Sequence, residues 1–372
     1  MTPGIDPDFN RLASLIWTHP AIRRVRDAAA IPVYLVGGAI RDALADFKVD
    51  DIDLVTEGDP QPLAHKLDTE LRSNDRFNTV TLLIEGSPVD IAMARTETYA
   101  RPGALPDVTP GSLEDDLVRR DFTINAMAIG IEEDAKLVDP FGGIDDLKSG
   151  VLRVLHDRSF IDDPTRALRA ARYAARFGFD LEPKTSELMM SVNLATVSSE
   201  RIENELRRIA LEDNALEALR LALLWGLVDF SEERLDLAER ATELIETEPW
   251  RREVPRDEVI LEAVFGDLGR ISPLAANPAT PWQACRLARG RSPLELVLAR
   301  ATGADWLDRW QEEWRWVELE ITGADLLAAG VPEGPRIGAG LDAALEAKLN
   351  RGVDGAEAEI RVALEAAGSG SR

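Results

Sequence analysis

Two aspartates separated by one residue, Asp51 and Asp53, give the clearest indication of chemistry in the sequence. They lie at the start of a predicted strand over residues 52–56, where side chains two apart project to the same face. Neighbouring carboxylates repel one another, and a divalent cation between them relieves that repulsion. Because Mg²⁺ binds one or two carboxylates together with substrate phosphates, the pair is a candidate magnesium site, and next to a phosphate cradle it would be what metal-dependent nucleotidyl transfer needs.

A glycine pair, Gly37 and Gly38, precedes these carboxylates. It follows a predicted buried strand over residues 33–36 and opens a predicted helix over residues 39–45. Glycines let backbone N–H groups approach an anion, and the positive end of a helix favours negative charge at the same place. Arg41, in the first turn, could add a fork of donors. The segment therefore predicts a phosphate cradle.

Each of the two motifs also has an ordinary structural explanation. A strand followed by two glycines and a helix is commonly a simple turn, and an Asp-x-Asp pair is commonly a solvated strand end. Here the two motifs occur in the order and at the spacing that would hold phosphates beside the carboxylates. Together they favour a nucleotide site over two unrelated surface features.

A third acidic residue, Asp90, lies in a predicted strand over residues 87–93. It either faces solvent from one side of that strand or joins Asp51 and Asp53 as a third carboxylate. The following residues, 95–117, show no hydrophobic period and contain several prolines and glycines, which predicts a long loop. A long loop beside a nucleotide site is a candidate lid.

The whole chain has 372 residues and a formal net charge of −24, which predicts weak nonspecific binding to nucleic acid. Its arginines concentrate over residues 153–176 and 201–208, so a basic cleft within an acidic protein is compatible with this charge. The longest apolar stretch, residues 219–228, is too short to span a bilayer, and we expect no signal peptide and no membrane partner. The single cysteine, Cys285, fits a reducing compartment, so we expect a cytoplasmic protein.

Helical periodicity dominates the chain after about residue 155. Asp163 followed by Pro164 is typical of a helix N-terminus, and Gly178 after Phe177 is typical of a helix C-terminus. Further helical patterns continue to the end of the sequence. The fold class predicted from these patterns is α+β, with strands confined to the first part of the chain.

Four segments of the chain carry recognisable motifs. They are Gly-Gly-x-x-Arg-Asp with Asp-x-Asp at 37–53, Arg-Arg-Asp-Phe-Thr-Ile-Asn-Ala at 119–126, Asp-Asp-Pro-Thr-Arg at 162–166 and Ser-Glu-Arg-Ile-Glu-Asn-Glu-Leu at 199–206. Together they resemble the class II tRNA nucleotidyltransferases, bacterial-type CCA-adding enzymes that are close relatives of bacterial poly(A) polymerases. The third motif resembles the family's base template, with Asp162 where the family usually has Glu, and the fourth resembles its neck motif. The resemblance covers residues 33–210.

The resemblance implies a role for each matching residue. Asp51 and Asp53 would hold Mg²⁺, and Asp90 would assist or deprotonate the primer 3′-hydroxyl. Nucleotide binding would fall to Gly37, Gly38, Arg41, Arg120, Asp163, Arg166, Arg169 and Arg172. Asp163 and Arg166 would bond to the Watson–Crick edge of incoming C or A, because an acceptor beside guanidinium donors matches these edges and not those of U and G.

The resemblance also implies an architecture. The fold would be α+β, with an N-terminal nucleotidyltransferase (polymerase β-like) mixed sheet of five strands and its helices, followed by an all-helical neck, body and tail. We assign the head to residues 1–155, the neck with the base-reading helix to residues 156–215, and the tRNA-binding body and tail to residues 216–372.

The implied activity is template-independent addition of C and A to the tRNA 3′ end from CTP and ATP, with release of pyrophosphate. Addition of A only, addition of CC only and poly(A) synthesis are alternatives within the family, and the Asp-Asp-Pro-Thr-Arg segment resembles A-adding types. A non-catalytic RNA-binding relative is an alternative of a different class. A small-molecule nucleotidyltransferase is a weaker alternative, because the long helical half would then lack a purpose.

Overall fold

The structure is a computed structural model that describes residues 4–67, 71–74 and 79–368. It consists of two compact units, one extending to Asp229 and the other beginning at Phe230. All strands of the described residues belong to the first unit. Among those residues, no helix combines the length and the apolar character needed to cross a membrane.

The first unit contains a mixed sheet and two small two-stranded sheets. Its strands are β1 (Val33–Val36), β2 (Ile52–Thr56), β3 (Leu71–Asn74), β4 (Thr79–Ile84), β5 (Ser87–Met93), β6 (Arg95–Thr98), β7 (Asp107–Pro110), β8 (Ala128–Gly130), β9 (Leu137–Val138), β10 (Val151–Leu152) and β11 (Asp180–Leu181). The main sheet has seven strands in the order β3-β4-β5-β2-β1-β8-β9. The five strands implied by the resemblance are therefore wrong for this chain, because the short strands β3 and β9 extend the sheet at its two edges.

Strand pairing brings two of the predicted carboxylates side by side. β1 pairs antiparallel with β2, and β2 pairs parallel with β5. In that parallel pair, Asp53 is the register partner of Asp90. Because aligned residues of neighbouring strands project to the same face, both aspartates extend from one side of the sheet.

The two faces of the main sheet have different environments. On one face, side chains such as Leu35, Leu54 and Ile91 belong to the main core of the first unit. On the other face, Val36 and Val55 form a small cluster with residues of a nearby helix. Since side chains alternate along a strand, burial of the core residues forces the aspartates onto this second, less covered face.

The helices of the first unit surround the sheet and continue beyond it. They are α1 (Phe9–Thr18), α2 (Pro20–Ala28), α3 (Gly38–Leu44), α4 (Gln61–Leu67), α5 (Leu113–Val118), α6 (Gly143–Ser149), α7 (Ser159–Asp162), α8 (Thr165–Phe177), α9 (Pro183–Met189), α10 (Ser199–Ala210) and α11 (Ala215–Leu224). Short 3₁₀ turns lie at Thr123–Asn125 and Leu194–Thr196. α8 ends where Gly178 adopts a left-handed conformation, as glycine permits without strain.

The predicted loop over residues 95–117 is only partly a loop. β6 and β7 form an antiparallel hairpin within it, and α5 begins at Leu113. β6 alternates threonine with charged residues, and β7 has Val108 and Pro110 as its apolar residues. The hairpin is therefore too short and too polar for the alternation by which sequence reveals a strand. Ser112 caps α5 through a reciprocal pair of bonds with Asp115, a capping box.

The second unit is helical throughout its described residues. Its helices are α12 (Glu232–Leu244), α13 (Arg256–Phe265), α14 (Pro281–Ala288), α15 (Pro293–Ala301), α16 (Trp306–Glu312), α17 (Gly323–Ala328), α18 (Pro335–Arg351) and α19 (Ala356–Gly368), with 3₁₀ turns at Leu268–Ala275 and Trp314–Trp316. A cluster around Leu326, Ala344 and Ala363 joins the last three helices. The helical character predicted for this part of the chain is confirmed.

Candidate active site

A cavity of about 1110 Å³ lies within the first unit. The strand ends of the main sheet line one side, and α8 with the end of α10 lines the other. Ten basic and nine acidic side chains line the cavity, so its charge is nearly balanced although the chain carries −24. The arginine clusters in the sequence suggested a basic cleft. The cavity instead contains guanidinium and carboxylate groups in similar numbers.

Nearly all predicted site residues converge on this cavity. Its lining includes Gly38, Arg41, Asp51, Asp53, Arg120, Asp163, Arg166, Arg169 and Arg172. Asp90 lines a smaller adjoining cavity of about 230 Å³, of which Asp53 and Arg120 are also part. Gly37 lies behind the lining, so its predicted contact with a nucleotide is not a feature of the cavity wall.

Asp51 directly precedes β2, Asp53 lies in β2 and Asp90 lies in β5. Among the described residues, no donor hydrogen-bonds to the side chains of Asp51, Asp53 or Asp90, and none forms an ion pair with them. The Oδ1 atom of Asp90 is buried without a partner. A buried carboxylate oxygen without a donor is costly, and a bound cation is one way to satisfy it.

Electrostatics supports the same interpretation. Burial raises the pKa of Asp53, and the charges of Asp90 and Asp51 raise it further, against an opposing effect of Arg120. Asp90 and Asp51 are therefore close enough to disfavour the charged form of Asp53. Carboxylate oxygens are the ligands that a hard divalent cation such as Mg²⁺ prefers. Among the described residues, however, the one group of three such side chains whose oxygens all lie within 4.8 Å of one another is Glu320, Asp354 and Glu359, so Asp51, Asp53 and Asp90 do not form a preassembled three-ligand cluster.

The glycine pair and Arg41 form a tight corner beside the carboxylates. Gly37 has a φ of +68°, and a Cβ atom there would lie 2.5 Å from Nη1 of Arg120, so a larger residue would displace that guanidinium. Arg41 is almost fully buried and donates through Nε and Nη2 to Asp42 and through Nη1 to Asn125. Its guanidinium is thus held rigidly at the cavity wall.

Arg120 connects the corner to α5. Its Nε and Nη2 atoms donate to one carboxylate oxygen of the buried Asp116, at 3.2 and 2.9 Å. The other oxygen of Asp116 accepts two bonds from Arg119. One buried carboxylate therefore orients two arginines toward the space beside Asp53.

The predicted base-reading pair lies at the start of α8. Asp163 accepts bonds from the backbone N–H and the hydroxyl of Thr165. The helix begins at Thr165 with Pro164 in the N-cap position, one residue later than the N-cap predicted at Asp163. Arg166 is buried and donates to the Ser159 hydroxyl at 3.2 Å and to the Arg119 carbonyl at 2.6 Å. These bonds occupy two of its five N–H groups, which leaves donors available to a ligand.

Arg169 and Arg172 continue along α8 on the cavity wall. Arg169 pairs with Asp121 at 2.6 Å, and Arg172 pairs with Glu212 at 3.1 Å. The ring of Tyr173 lies beneath Arg172 and Arg41, whose guanidinium carbons are 4.6 and 4.8 Å from its centroid. These cation–π contacts hold the guanidinium groups of Arg172 and Arg41 in place at the cavity wall.

Several residues at the cavity escaped the prediction from sequence. Asp121 and Asn125 lie within the recognised 119–126 motif, and a bond from Asn125 to Asp121 joins them. Glu97 and Tyr99 come from the unrecognised hairpin. Asp121 and Asn125 are four residues apart and Glu97 and Tyr99 are two apart, so each spacing could place its pair on one side of a local element. The sequence does not show which side faces the cavity, whereas the structure shows that all four residues line it.

Comparison with known proteins identifies relatives of the chain. Residues 33–153 match the family model described as the poly A polymerase head domain. Three relatives are A-adding tRNA nucleotidyltransferases from Aquifex aeolicus (41% identical over 55% of this chain) and Geobacter sulfurreducens (31% over 93%), and a CC-adding tRNA nucleotidyltransferase from Deinococcus radiodurans (31% over 82%). The chain spans 29% and 46% of the length of the first two relatives and 82% of the third.

Solved structures resemble the chain over almost its whole length. The apo form II of a CCA-adding enzyme superposes with a TM-score of 0.80 at 28% identity, covering 97% of this chain and 96% of that one. The Thermotoga maritima CCA-adding enzyme complexed with tRNA_CCA gives a TM-score of 0.72 at 26% identity, with the same coverage. The predicted fold class, a mixed head sheet followed by helices, is confirmed.

The fold and the carboxylate site together define a nucleotidyltransferase head with a helical continuation. The chain belongs to the class II tRNA nucleotidyltransferase family, whose bacterial members include CCA-adding enzymes and poly(A) polymerases. Enzymes of this family normally use a divalent metal ion.

Proposed function

We propose that this chain adds C, A or both to the 3′ end of tRNA from CTP and ATP, and releases pyrophosphate. The proposal depends mainly on the residues that line the cavity. One side presents Asp51 and Asp53, with Asp90 in the smaller adjoining cavity, and none of these three side chains has a partner among the described residues. The other side presents Asp163 and Arg166 at the start of α8. Such a cavity can hold a triphosphate and a base at the same time. The relatives named above for A addition and CC addition support this class of reaction.

We further propose Mg²⁺ as the metal ion and Asp51 with Asp53 as its ligands. Bound there, Mg²⁺ would lower the pKa of the attacking tRNA 3′-hydroxyl and stabilise the leaving pyrophosphate oxygens. Asp90, on the neighbouring strand, would orient that hydroxyl and accept its proton. Arg41 and Arg120 would donate to the phosphates from the glycine corner, as guanidinium groups do in fixed forks.

Base selection would rest on α8. The Asp163 carboxylate accepts from the exocyclic amine that C and A share, and Arg166 donates to the ring nitrogen beside it. U and G present a carbonyl and a ring N–H at those places, so each would leave mispaired groups in the cavity. Arg169 and Arg172 would support the base and the phosphates along the same wall.

The activity can be resolved with three tRNA transcripts, one without the CCA end, one ending in CC and one complete. Each is incubated with Mg²⁺ and either CTP or ATP alone, and both primer extension and pyrophosphate are measured. Extension of the first transcript by C and of the second by A indicates full CCA addition. Extension of only one of them indicates CC or A addition, and extension of the complete transcript indicates poly(A) synthesis.

A failure of every transcript to release pyrophosphate would contradict the proposal. Binding of tRNA without turnover would then favour the non-catalytic RNA-binding alternative. The buried Oδ1 atom of Asp90 and the raised pKa of Asp53 argue against that alternative, because a binding module gains nothing from carboxylates that burial and like charges make costly.

The remaining assignments follow from the same proposal. We propose a head over residues 1–155, a neck over 156–215 and a tRNA-binding body and tail over 216–372, and tRNA as partner rather than a membrane. A cytoplasmic location fits a tRNA substrate and the single cysteine, Cys285.

A further inference from the structure

One arginine outside the predicted site contacts the predicted base reader. Arg201, near the start of α10, donates from Nη2 to Oδ1 of Asp163 at 2.8 Å. It also donates from Nη1 to the carbonyl of Gly103 at 2.9 Å. Gly103 lies between β6 and β7, in the connection of the hairpin. A single guanidinium therefore bridges α10, the hairpin and the residue that would read the base.

We propose that Arg201 is a positioning residue that fixes the Asp163 carboxylate and thereby sets the selectivity for C and A over U and G. This inference rests on the proposed function. It adds a residue and a physical cause to the selectivity of the same site.

The distribution of donors around Asp163 carries the argument. The Thr165 N–H, the Thr165 hydroxyl and the Arg201 guanidinium all reach Oδ1, at 3.1, 2.6 and 2.8 Å. No donor of the described residues reaches Oδ2. Three donors on one oxygen fix the plane of the carboxylate and leave the second oxygen as the acceptor for the exocyclic amine of a base.

Fixing this carboxylate matters because Asp163 is not enclosed. Its side chain is 22% exposed, so without Arg201 only the two Thr165 bonds would hold its rotamer. A carboxylate that rotates can meet a base with either oxygen at several angles. Selectivity depends on leaving a wrong base mispaired, and a mobile acceptor weakens that penalty.

The hydrogen bond from Arg201 to the carbonyl of Gly103 explains why an arginine is needed. Gly103 also donates from its N–H to the carbonyl of Ile161 at 3.2 Å, two residues before Asp163. It has a φ of +69°, and a Cβ atom there would lie 2.6 Å from the Thr196 hydroxyl oxygen. Its carbonyl is therefore held in place, and a planar fork can bond to it and to Asp163 together. A lysine ammonium has no such fork.

The test compares Arg201→Lys, Arg201→Gln and Thr165→Val with the wild type, in full-length protein. Thr165→Val removes one bond to Oδ1 without changing the charge. Arg207→Lys is the matched control, because Arg207 lies on the same helix, is exposed and has no partner among the described residues. Steady-state kinetics with CTP, ATP, UTP and GTP on the tRNA transcripts gives kcat/KM for each nucleotide, and thermal unfolding monitors folding.

We expect each Arg201 variant to lower the ratio of kcat/KM for the correct nucleotide over UTP or GTP by about 10-fold, the scale of one charge-assisted hydrogen bond. Thr165→Val should shift the ratio in the same direction, and Arg207→Lys should leave it unchanged. Correctly folded Arg201 variants that keep the wild-type ratio would overturn the proposal, as would an equal loss of rate with all four nucleotides. A wild type without nucleotide addition would instead contradict the proposed function.

Discussion

The two sides of the cavity treat their charges differently. On the sheet side, Asp51, Asp53 and Asp90 have no protein cation bonded to them within the described residues. On the helical side, Arg169 and Arg172 are each paired with a carboxylate from another segment. The sheet side thus carries carboxylates that no bonded cation of the described residues neutralises. The helical side carries arginines whose charge is neutralised by paired carboxylates.

This contrast separates binding by charge from binding by shape. The carboxylates of the sheet side need a cation from solution to balance their charge. Nucleotide binding and reaction on this side should therefore depend strongly on the metal ion. Paired arginines have fixed directions and little net charge, so the helical side should select by the geometry of hydrogen bonds.

The largest effect should follow Asp53→Asn. The amide keeps the shape of the side chain and removes one charge from the proposed metal site, so we expect nucleotide addition to fall by about 10³-fold or more. Single-turnover extension of a tRNA transcript measures the loss. Asp59→Asn, an exposed change shortly after the same strand, is the control, and near-normal extension by Asp53→Asn would refute the metal assignment.

The same variant should be more stable than the wild type in EDTA at neutral pH. The pKa of Asp53 is raised by burial and by its acidic neighbours, so the folded state binds the proton more tightly than the unfolded state. Its contribution to stability is complete below the unfolded pKa and is lost as the pH rises through the folded pKa. Unfolding temperatures from pH 4 to pH 8 should fall less for Asp53→Asn than for the wild type, and an equal decline would contradict the raised pKa.

A smaller effect should follow Asp163→Asn on the helical side. An amide can present a donor where the carboxylate presents only acceptors, so U and G become acceptable partners. We expect the selectivity for C or A over U or G to fall by about 10²-fold, the sum of two mispaired groups. Asp157→Asn, an exposed residue off the cavity, is the control. Unchanged selectivity would remove Asp163 from base reading.

Much of the sheet side could be predicted from the sequence. The strands 33–36, 52–56 and 87–93 are confirmed at both ends, because runs of apolar residues bounded by proline, glycine or aspartate fix where a buried strand begins and stops. The convergence of Asp53 and Asp90 depends on strand order, which their spacing in sequence does not specify. The resemblance implied that Asp90 acts together with Asp51 and Asp53, but the strand order itself comes from the structure.

The helical side was less predictable in detail. The start of α8 was recognisable from Asp163 and Pro164, but the partners of its arginines come from distant segments, such as Glu212 and Asp121. The hairpin over residues 95–110 was missed, because its strands are short, mostly polar and partly exposed. Pairing over such distances is a property of tertiary packing, and local patterns do not encode it.

The next effect tests the paired charges of the helical side. Burial alone would raise the pKa of Asp121, but Arg169 and the bond from Asn125 outweigh burial and lower it. Asp121→Asn should therefore destabilise the fold by about 2 kcal/mol, less than a fully buried pair because Arg169 is partly exposed. Chemical denaturation at pH 7 measures the loss, with the exposed Asp145→Asn as control.

The pH dependence of this variant has a definite sign. A carboxylate whose folded pKa is lowered contributes stability above its unfolded pKa and loses it as the pH falls toward the folded value. The difference in the free energy of unfolding between wild type and Asp121→Asn should therefore shrink below about pH 4. A difference that stays constant into acid would show that packing, and not the ion pair, accounts for the destabilisation.

The smallest effect should follow Tyr99→Phe, which joins the hairpin to the helical side. The Tyr99 hydroxyl donates to Oε2 of Glu97 at 2.8 Å, while Oε1 of that carboxylate accepts from Arg95 and Arg119. Loss of one of these donors should cost about 1 kcal/mol of stability, because the two arginines still satisfy the carboxylate. Tyr34→Phe removes a hydroxyl that bonds to no described residue and serves as the control. A loss well above this value, accompanied by lower selectivity, would mean that the hairpin transmits its position through Arg119 to the carbonyl that holds Arg166, and would bring the hairpin into base reading.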